Sequence, residues 1–195
     1  MAALLSSWPL AIATFLVSAL MIGTACSTPS AESKSLPLVI DFTTDASWRP
    51  LNDGVMGGLS EGRITWNEGM HWVGQTRLEN NGGFSSVRAA WGEYNLDGLS
   101  SITIRCKGEG GPFKLTMELS QRWWMPYAYG SFEPTADWQD ITIDAKDLTW
   151  SQAFTGDMEV LPLQQALGSV IRLGFMKYDG TAQAFDLEVA SIRFE

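Results

Sequence analysis

The side chains from which a reaction could be built are few. The 195 residues contain one histidine, His71, and two cysteines, Cys26 and Cys106. His71 stands in a run with Trp72 and Val73. It reads as a strand residue rather than a general base, which needs a partner to tune and orient its ring. One histidine with no second free cysteine excludes His-rich metal centres and Cys–His nucleophiles. No serine sits in a G-x-S-x-G elbow. No G-x-G-x-x-G occurs, and the glycine-rich run Gly54–Ser60 lacks the Lys-Ser/Thr ending of a P-loop. Glycoside hydrolysis needs two carboxylates facing across a cleft. Asp53, Glu61, Glu79 and Glu93 are available, but nothing in their spacing pairs them. These residues point to binding, not catalysis.

For binding there is more material. Trp123-Trp124-Met125-Pro126-Tyr127-Ala128-Tyr129 concentrates aromatic rings, which serve as stacking platforms for sugars when amide and Arg side chains lie nearby. Asn80, Asn81, Arg88 and Arg122 could supply those polar contacts. The same residue types also build protein-binding hot spots. Strand neighbours face opposite sides, so Trp123 and Trp124 cannot both enter a core. The expectation is one Trp inside and one capping an end of the domain, with an exposed platform as the alternative. Asp41, Asp45 and Asp53 could contribute to a structural calcium site, which needs several loop oxygens; no other cofactor is implied. Asn52-Asp53-Gly54-Val55-Met56-Gly57-Gly58-Leu59-Ser60 is the most unusual stretch. No Lys follows it and no helix begins there, so a structural role is expected: Val55 and Met56 packed inward, and Asn52 or Asp53 bonded to local backbone N–H groups. The candidate functional surface comprises Asn52, Asp53, Arg88, Trp123, Trp124, Tyr127 and Tyr129.

The elements that must position these residues are mostly strands. Period-two runs bounded by Gly, Asn, Asp or Pro cover Leu38–Phe42, Leu59–Trp66, His71–Leu78, Phe84–Trp91, Ser101–Lys107, Phe113–Leu119, Met125–Phe132 and Trp138–Ile143. Val170–Tyr178 and Ala184–Phe194 form a last pair, joined at Asp179-Gly180-Thr181 as a hairpin. Roughly ten strands at this spacing mean a β-sandwich or barrel. Leu161–Leu167 is the best helical candidate, and Asp144–Pro162 reads as one long irregular loop able to cover a groove. Asp45–Pro50 reads as turn material.

Leu10 to Ala25 is a nearly unbroken apolar run followed by Cys26-Ser27-Thr28-Pro29-Ser30. It is short for a spanning helix and suits a signal-peptide core. Gly23, Thr24 and Ala25 before Cys26 resemble a lipoprotein signal, with Cys26 as the lipid-modified residue. An ordinary secretion signal and a retained anchor are the alternatives. All three export the domain, and Ser27 favours outer-membrane sorting where that rule operates. Residues 26–36 then read as a flexible tether and residues 37–195 as one domain. Cys106 alternates with Ile102 and Ile104, as a small buried thiol would. The net charge of −9 excludes a nucleic-acid backbone as partner, since phosphate binding needs a basic surface.

Several motifs now stand together: Trp48; Asn52–Ser60; Glu79-Asn80-Asn81-Gly82-Gly83-Phe84-Ser85-Ser86-Val87-Arg88; Arg105-Cys106-Lys107-Gly108-Glu109-Gly110; and Trp138-Gln139. In this order they resemble the complex I intermediate-associated protein 30 family over about Ile40 to Phe194. The resemblance implies an all-β, galactose-binding-like jelly roll, a sandwich of two antiparallel sheets. It also implies a chaperone-like, non-catalytic assembly role through protein contacts. For an exported chain the partner would be a membrane-associated protein, with a glycan as the alternative ligand.

Overall fold

A computed structural model describes residues 33–152, 156–158 and 166–195, the middle segment by its backbone. The expected signal segment, Cys26, Ser27 and most of the Leu161–Leu167 stretch lie outside the described residues. In chain order the strands are β1 (Lys34–Ser35), β2 (Leu38–Asp41), β3 (Arg49–Asn52), β4 (Glu61–Trp66), β5 (Met70–Gln75), β6 (Ser85–Arg88), β7 (Tyr94–Asn95) and β8 (Ser101–Glu109). They continue with β9 (Phe113–Glu118), β10 (Tyr127–Phe132), β11 (Gln139–Asp144), β12 (Thr149–Gln152), β13 (Gly156–Met158), β14 (Arg172–Lys177) and β15 (Ala184–Phe194).

Two antiparallel sheets pack face to face as a jelly-roll sandwich. One runs β13-β12-β10-β9-β14-β6-β3; the other runs β11-β8-β15-β5-β4, with β2 also on β15. The alternation in the sequence explains the layering. Phe113, Leu115 and Met117 of β9, and Leu173 and Phe175 of β14, face inward from the first sheet. Ile102, Ile104 and Cys106 of β8, and Met70 and Trp72 of β5, face them from the second. Aromatic edges join the layers: the Trp72 and Phe113 ring centroids lie 5.8 Å apart. Each such side chain contributes about 1.5–3 kcal/mol by leaving water.

β15 organises the second sheet, pairing with β8 along its length on one side and with β5 then β2 on the other. Its register shifts at Ala190. Without that bulge the inward positions Phe185, Leu187 and Val189 would put Ile192 and Phe194 on the solvent side; the extra residue returns both to the core.

The structure departs from the sequence expectations in four places. β14 and β15 lie in different sheets, so Asp179-Gly180-Thr181 is a crossover between layers and not a hairpin. Part of the expected long loop is the strand pair β12–β13, which extends the first sheet. Arg49–Asn52 is the edge strand β3, not turn material. The end of the expected tether is also ordered: β1 pairs in parallel with β7, and Lys34 N donates to Glu93 O at 3.0 Å.

Candidate functional site

The outward face of the seven-stranded sheet gathers most of the candidate residues. Strand register puts Tyr129, Thr116, Gly174, Arg88 and Arg49 directly opposite one another across β10, β9, β14, β6 and β3. The neighbouring row is Ser151, Tyr127, Glu118 and Arg172. Their inward neighbours Ala128, Met117, Leu173 and Val87 are core, so alternation forces these side chains outward.

Charge is arranged asymmetrically on this face. Glu118 takes both Arg172 Nε (3.0 Å) and Arg172 Nη2 on its Oε2, while Oε1 lies 3.4 Å from Arg88 Nη1. The Arg172 guanidinium also lies over the Trp91 ring, 3.6 Å from its centroid. Arg88 Nε donates to Ser86 Oγ at 3.2 Å. Burial lowers the Arg88 pKa and the charge of Arg172 adds to this, against the opposing pull of Glu118. At the other end of the face, Lys114 Nζ sits 4.1 Å from the Tyr129 ring centroid. Tyr127 and Tyr129 are tilted neighbours with centroids 6.2 Å apart; Tyr129 is buried and Tyr127 half-buried.

Trp123 and Trp124 are both exposed, at 55% and 45%. The expectation of one core Trp is corrected: the pair lies in the turn between β9 and β10, where strand alternation does not apply. Their rings meet edge to face at 5.9 Å, and Met125 beside them is exposed as well.

Asn52 and Asp53 have a different position from the one expected of a binding surface. Asp53 is 1% exposed, and its carboxylate accepts from Ser60 N (2.9 Å), Ser60 Oγ (2.5 Å), Gly83 N (2.7 Å) and Phe84 N (3.2 Å). Burial raises its pKa, but these four bonds outweigh it and hold the group below the ordinary carboxylate value. Asn52 Oδ1 accepts from Ser85 Oγ, and its Nδ2 donates to Gly62 O. Asn80, left-handed at φ 58°, donates from Nδ2 to Gly57 O. The two most distinctive motifs, Asn52–Ser60 and Glu79–Arg88, therefore clasp each other, and the clasp sets β3 against β6. Val55 and Met56 are exposed, not packed inward, because the segment turns through a short 3₁₀ helix whose buried residue is Asp53.

The aspartates weighed for calcium do not converge. Asp41 binds Thr43 N and Oγ1, Asp45 binds Ser47 N, and Asp53 is closed inside the clasp. The metal-ligand types that do converge among the described residues are His71 of β5 and Asp186 and Glu188 of β15, on the outward face of the second sheet. There His71 Nε2 lies 3.0 Å from Asp186 Oδ1, and Glu188 is paired with Lys107 at 2.9 Å.

Sequence reasoning missed Glu118, Arg172 and Trp91. Alternation in Phe113–Leu119 and Val170–Tyr178 marks the first two as outward-facing. Only strand register shows that they meet each other and Arg88.

This architecture defines a jelly-roll β-sandwich domain. Residues 40–189 match the complex I intermediate-associated protein 30 family, and the chain belongs to that family. No curated protein sequence matches the chain. Among solved structures, it is similar to the family 11 carbohydrate-binding module of a cellulosomal cellulase of Clostridium thermocellum. That likeness has 14% identity and a TM-score of 0.53 over 83% of this chain and 95% of the other. A family 11 module of Clostridium thermocellum solved with a β-1,3-1,4-mixed-linked tetrasaccharide gives 14% identity and a TM-score of 0.51, over 81% and 94%. At this identity the likeness describes the fold.

Proposed function

We propose that the protein is a non-catalytic assembly module that holds a protein partner at a membrane surface. The observation that carries this reading is the exposed pair Trp123 and Trp124, with Met125, rimming a sheet face that bears Tyr127, Tyr129 and Arg88. Large exposed aromatics beside arginine have the composition of a protein hot spot. The clasp around Asp53 ties the Asn52–Ser60 segment to Gly83 and Phe84, and the family membership supports an assembly role. In this reading Cys26 carries a lipid that keeps the domain at the exported face of the membrane. Cys26→Ser is then expected to release the protein in soluble form, and unchanged membrane retention refutes the anchor.

The test of partner binding is cross-linking in detergent-solubilised membranes, followed by capture. Wild type is expected to retain a membrane protein that Trp124→Ala releases. Equal capture by the two refutes the reading.

The second reading is a glycan ligand, favoured by the exposed, edge-to-face rings of Trp123 and Trp124. A glycan array decides it: sugar binding abolished by Trp124→Ala overturns the protein-partner reading.

A further inference from the structure

At the β3 edge of the seven-stranded sheet lies a shallow pocket of about 280 Å³, with Arg49, Arg88 and Arg172 in its lining. Three of the chain's eight arginines meet here, in a protein of net charge −9. The carboxylate bonded within this group is Glu118, and it is taken up chiefly by Arg172. Two positive charges are thus left in excess.

Arg49 and Arg88 stand directly opposite each other on paired strands, and like charges so placed destabilise a sheet. Arg49 Nη1 donates to the carbonyls of Ala46 and Trp48, which fixes its direction. Among the described residues Arg88 Nη2 has no bonded partner, although its guanidinium is largely withdrawn from water. Trp91, stacked on Arg172, restrains that guanidinium too. Pro50, Leu51 and Ala90 supply an apolar wall. Restrained guanidinium groups with spare N–H donors, that of Arg88 partly desolvated and that of Arg49 exposed, suit a planar carboxylate, which accepts two parallel bonds. An anion placed between Arg49 and Arg88 would also relieve their repulsion.

We propose that this pocket takes a Glu or Asp side-chain carboxylate from an acidic segment of a protein partner, held by Arg88 and Arg49 with an apolar neighbour against Leu51. The assignment rests on the assembly reading above and names the partner's chemistry. The apolar wall favours a peptide, whose carboxylates alternate with hydrocarbon side chains, over a sugar acid.

The probe is a labelled peptide alternating Glu and Leu, compared with its Gln counterpart. Binding is read by anisotropy and by the Arg88 Nε–Hε resonance. The Glu peptide is expected to bind at low salt and to shift that resonance. The Gln peptide and the Arg88→Gln variant should each bind about tenfold or more weakly, as loss of a charged hydrogen bond implies. Arg49→Gln, on an exposed edge strand, keeps the fold and should also weaken the Glu peptide. Equal binding of Glu and Gln peptides, or no shift at Arg88, overturns the assignment. A shift produced by polygalacturonate at lower concentration than by the Glu peptide replaces the protein segment with a sugar acid. If the peptide fails while membrane-partner capture persists, only the pocket is refuted. If capture fails while the peptide binds, the assembly reading falls and the carboxylate pocket stands.

Discussion

Replacing Asp53 by Ala tests the central clasp. The substitution leaves Ser60 N, Gly83 N and Phe84 N without their acceptor and removes the nearer of the two acceptors of Ser60 Oγ, which keeps Arg77 O at 3.3 Å. A hydrogen bond to a charged group contributes roughly 1.5–3 kcal/mol, and a buried donor left unpaired carries a further penalty. The four bonds share one carboxylate and cannot be summed, so a loss of about 3–5 kcal/mol is expected. That is a large part of the roughly 5–15 kcal/mol that holds a domain folded. Asp53→Asn keeps Oδ1 for Ser60 N but sets an amide NH₂ against the donors at Gly83 and Phe84; about 2–3 kcal/mol is expected. Urea unfolding at neutral pH measures both, and amide exchange at Ser60, Gly83 and Phe84 should accelerate. The pH dependence has a definite sign. The folded-state pKa of Asp53 is depressed, so its contribution is complete above the unfolded value of about 3.9 and disappears as pH falls through the folded value. The gap between wild type and Asp53→Asn should stay flat down to about pH 4 and narrow below it. An Asp53→Ala midpoint within error of wild type, with unchanged exchange at Gly83, refutes the clasp.

Other substitutions test neighbouring claims. Gly58→Ala would place a Cβ 2.3 Å from Asp53 Cγ, whereas Gly54→Ala meets nothing within 4 Å. Urea midpoints should show a loss of about 1–3 kcal/mol for the first and little change for the second. Lys177 is fully buried, with Nζ on Asp179 Oδ2 and Gly111 O. Lys177→Met should lower stability by about 3 kcal/mol, and adding Asp179→Asn should restore part of it; additive losses would refute the pairing. Burial, with Asp140 adding to it, pushes the Cys106 thiol up to about 12. In a Cys26→Ser background, native protein at about pH 8 should resist alkylation that goes to completion in urea, and native labelling at a free-thiol rate refutes this.

Local alternation made most strands legible. Ser101–Lys107 lies within β8, and Ala184–Phe194 is β15 itself. Thr149–Gln152 escaped notice because its strand character comes from pairing with β10, and four residues are too few to show a period. Asp179-Gly180-Thr181 looked like a hairpin because turn chemistry is local, whereas the choice of sheet for β14 and β15 is not. The candidate surface was legible in part. Trp123, Trp124 and Arg88 could be singled out by residue type, but the Glu118–Arg172–Arg88 grouping depends on register between segments that are distant in sequence, with Arg172 54 residues from Glu118. Asn52 and Asp53 stood out for their chemistry, and that chemistry turned out to serve the fold.

The strand β15 has a consequence for how the chain acquires its structure. It is the common neighbour of β2, β5 and β8, and Ile192 pairs with Ile40 across most of the domain's length. During synthesis, β2, β5 and β8 emerge long before their shared partner and wait with unmet edges. The second sheet can close only in a late step, when Ala184–Phe194 inserts between strands already made. The nascent domain therefore passes through a stage of exposed, adhesive strands, and its yield in a cell depends on how well that interval is protected.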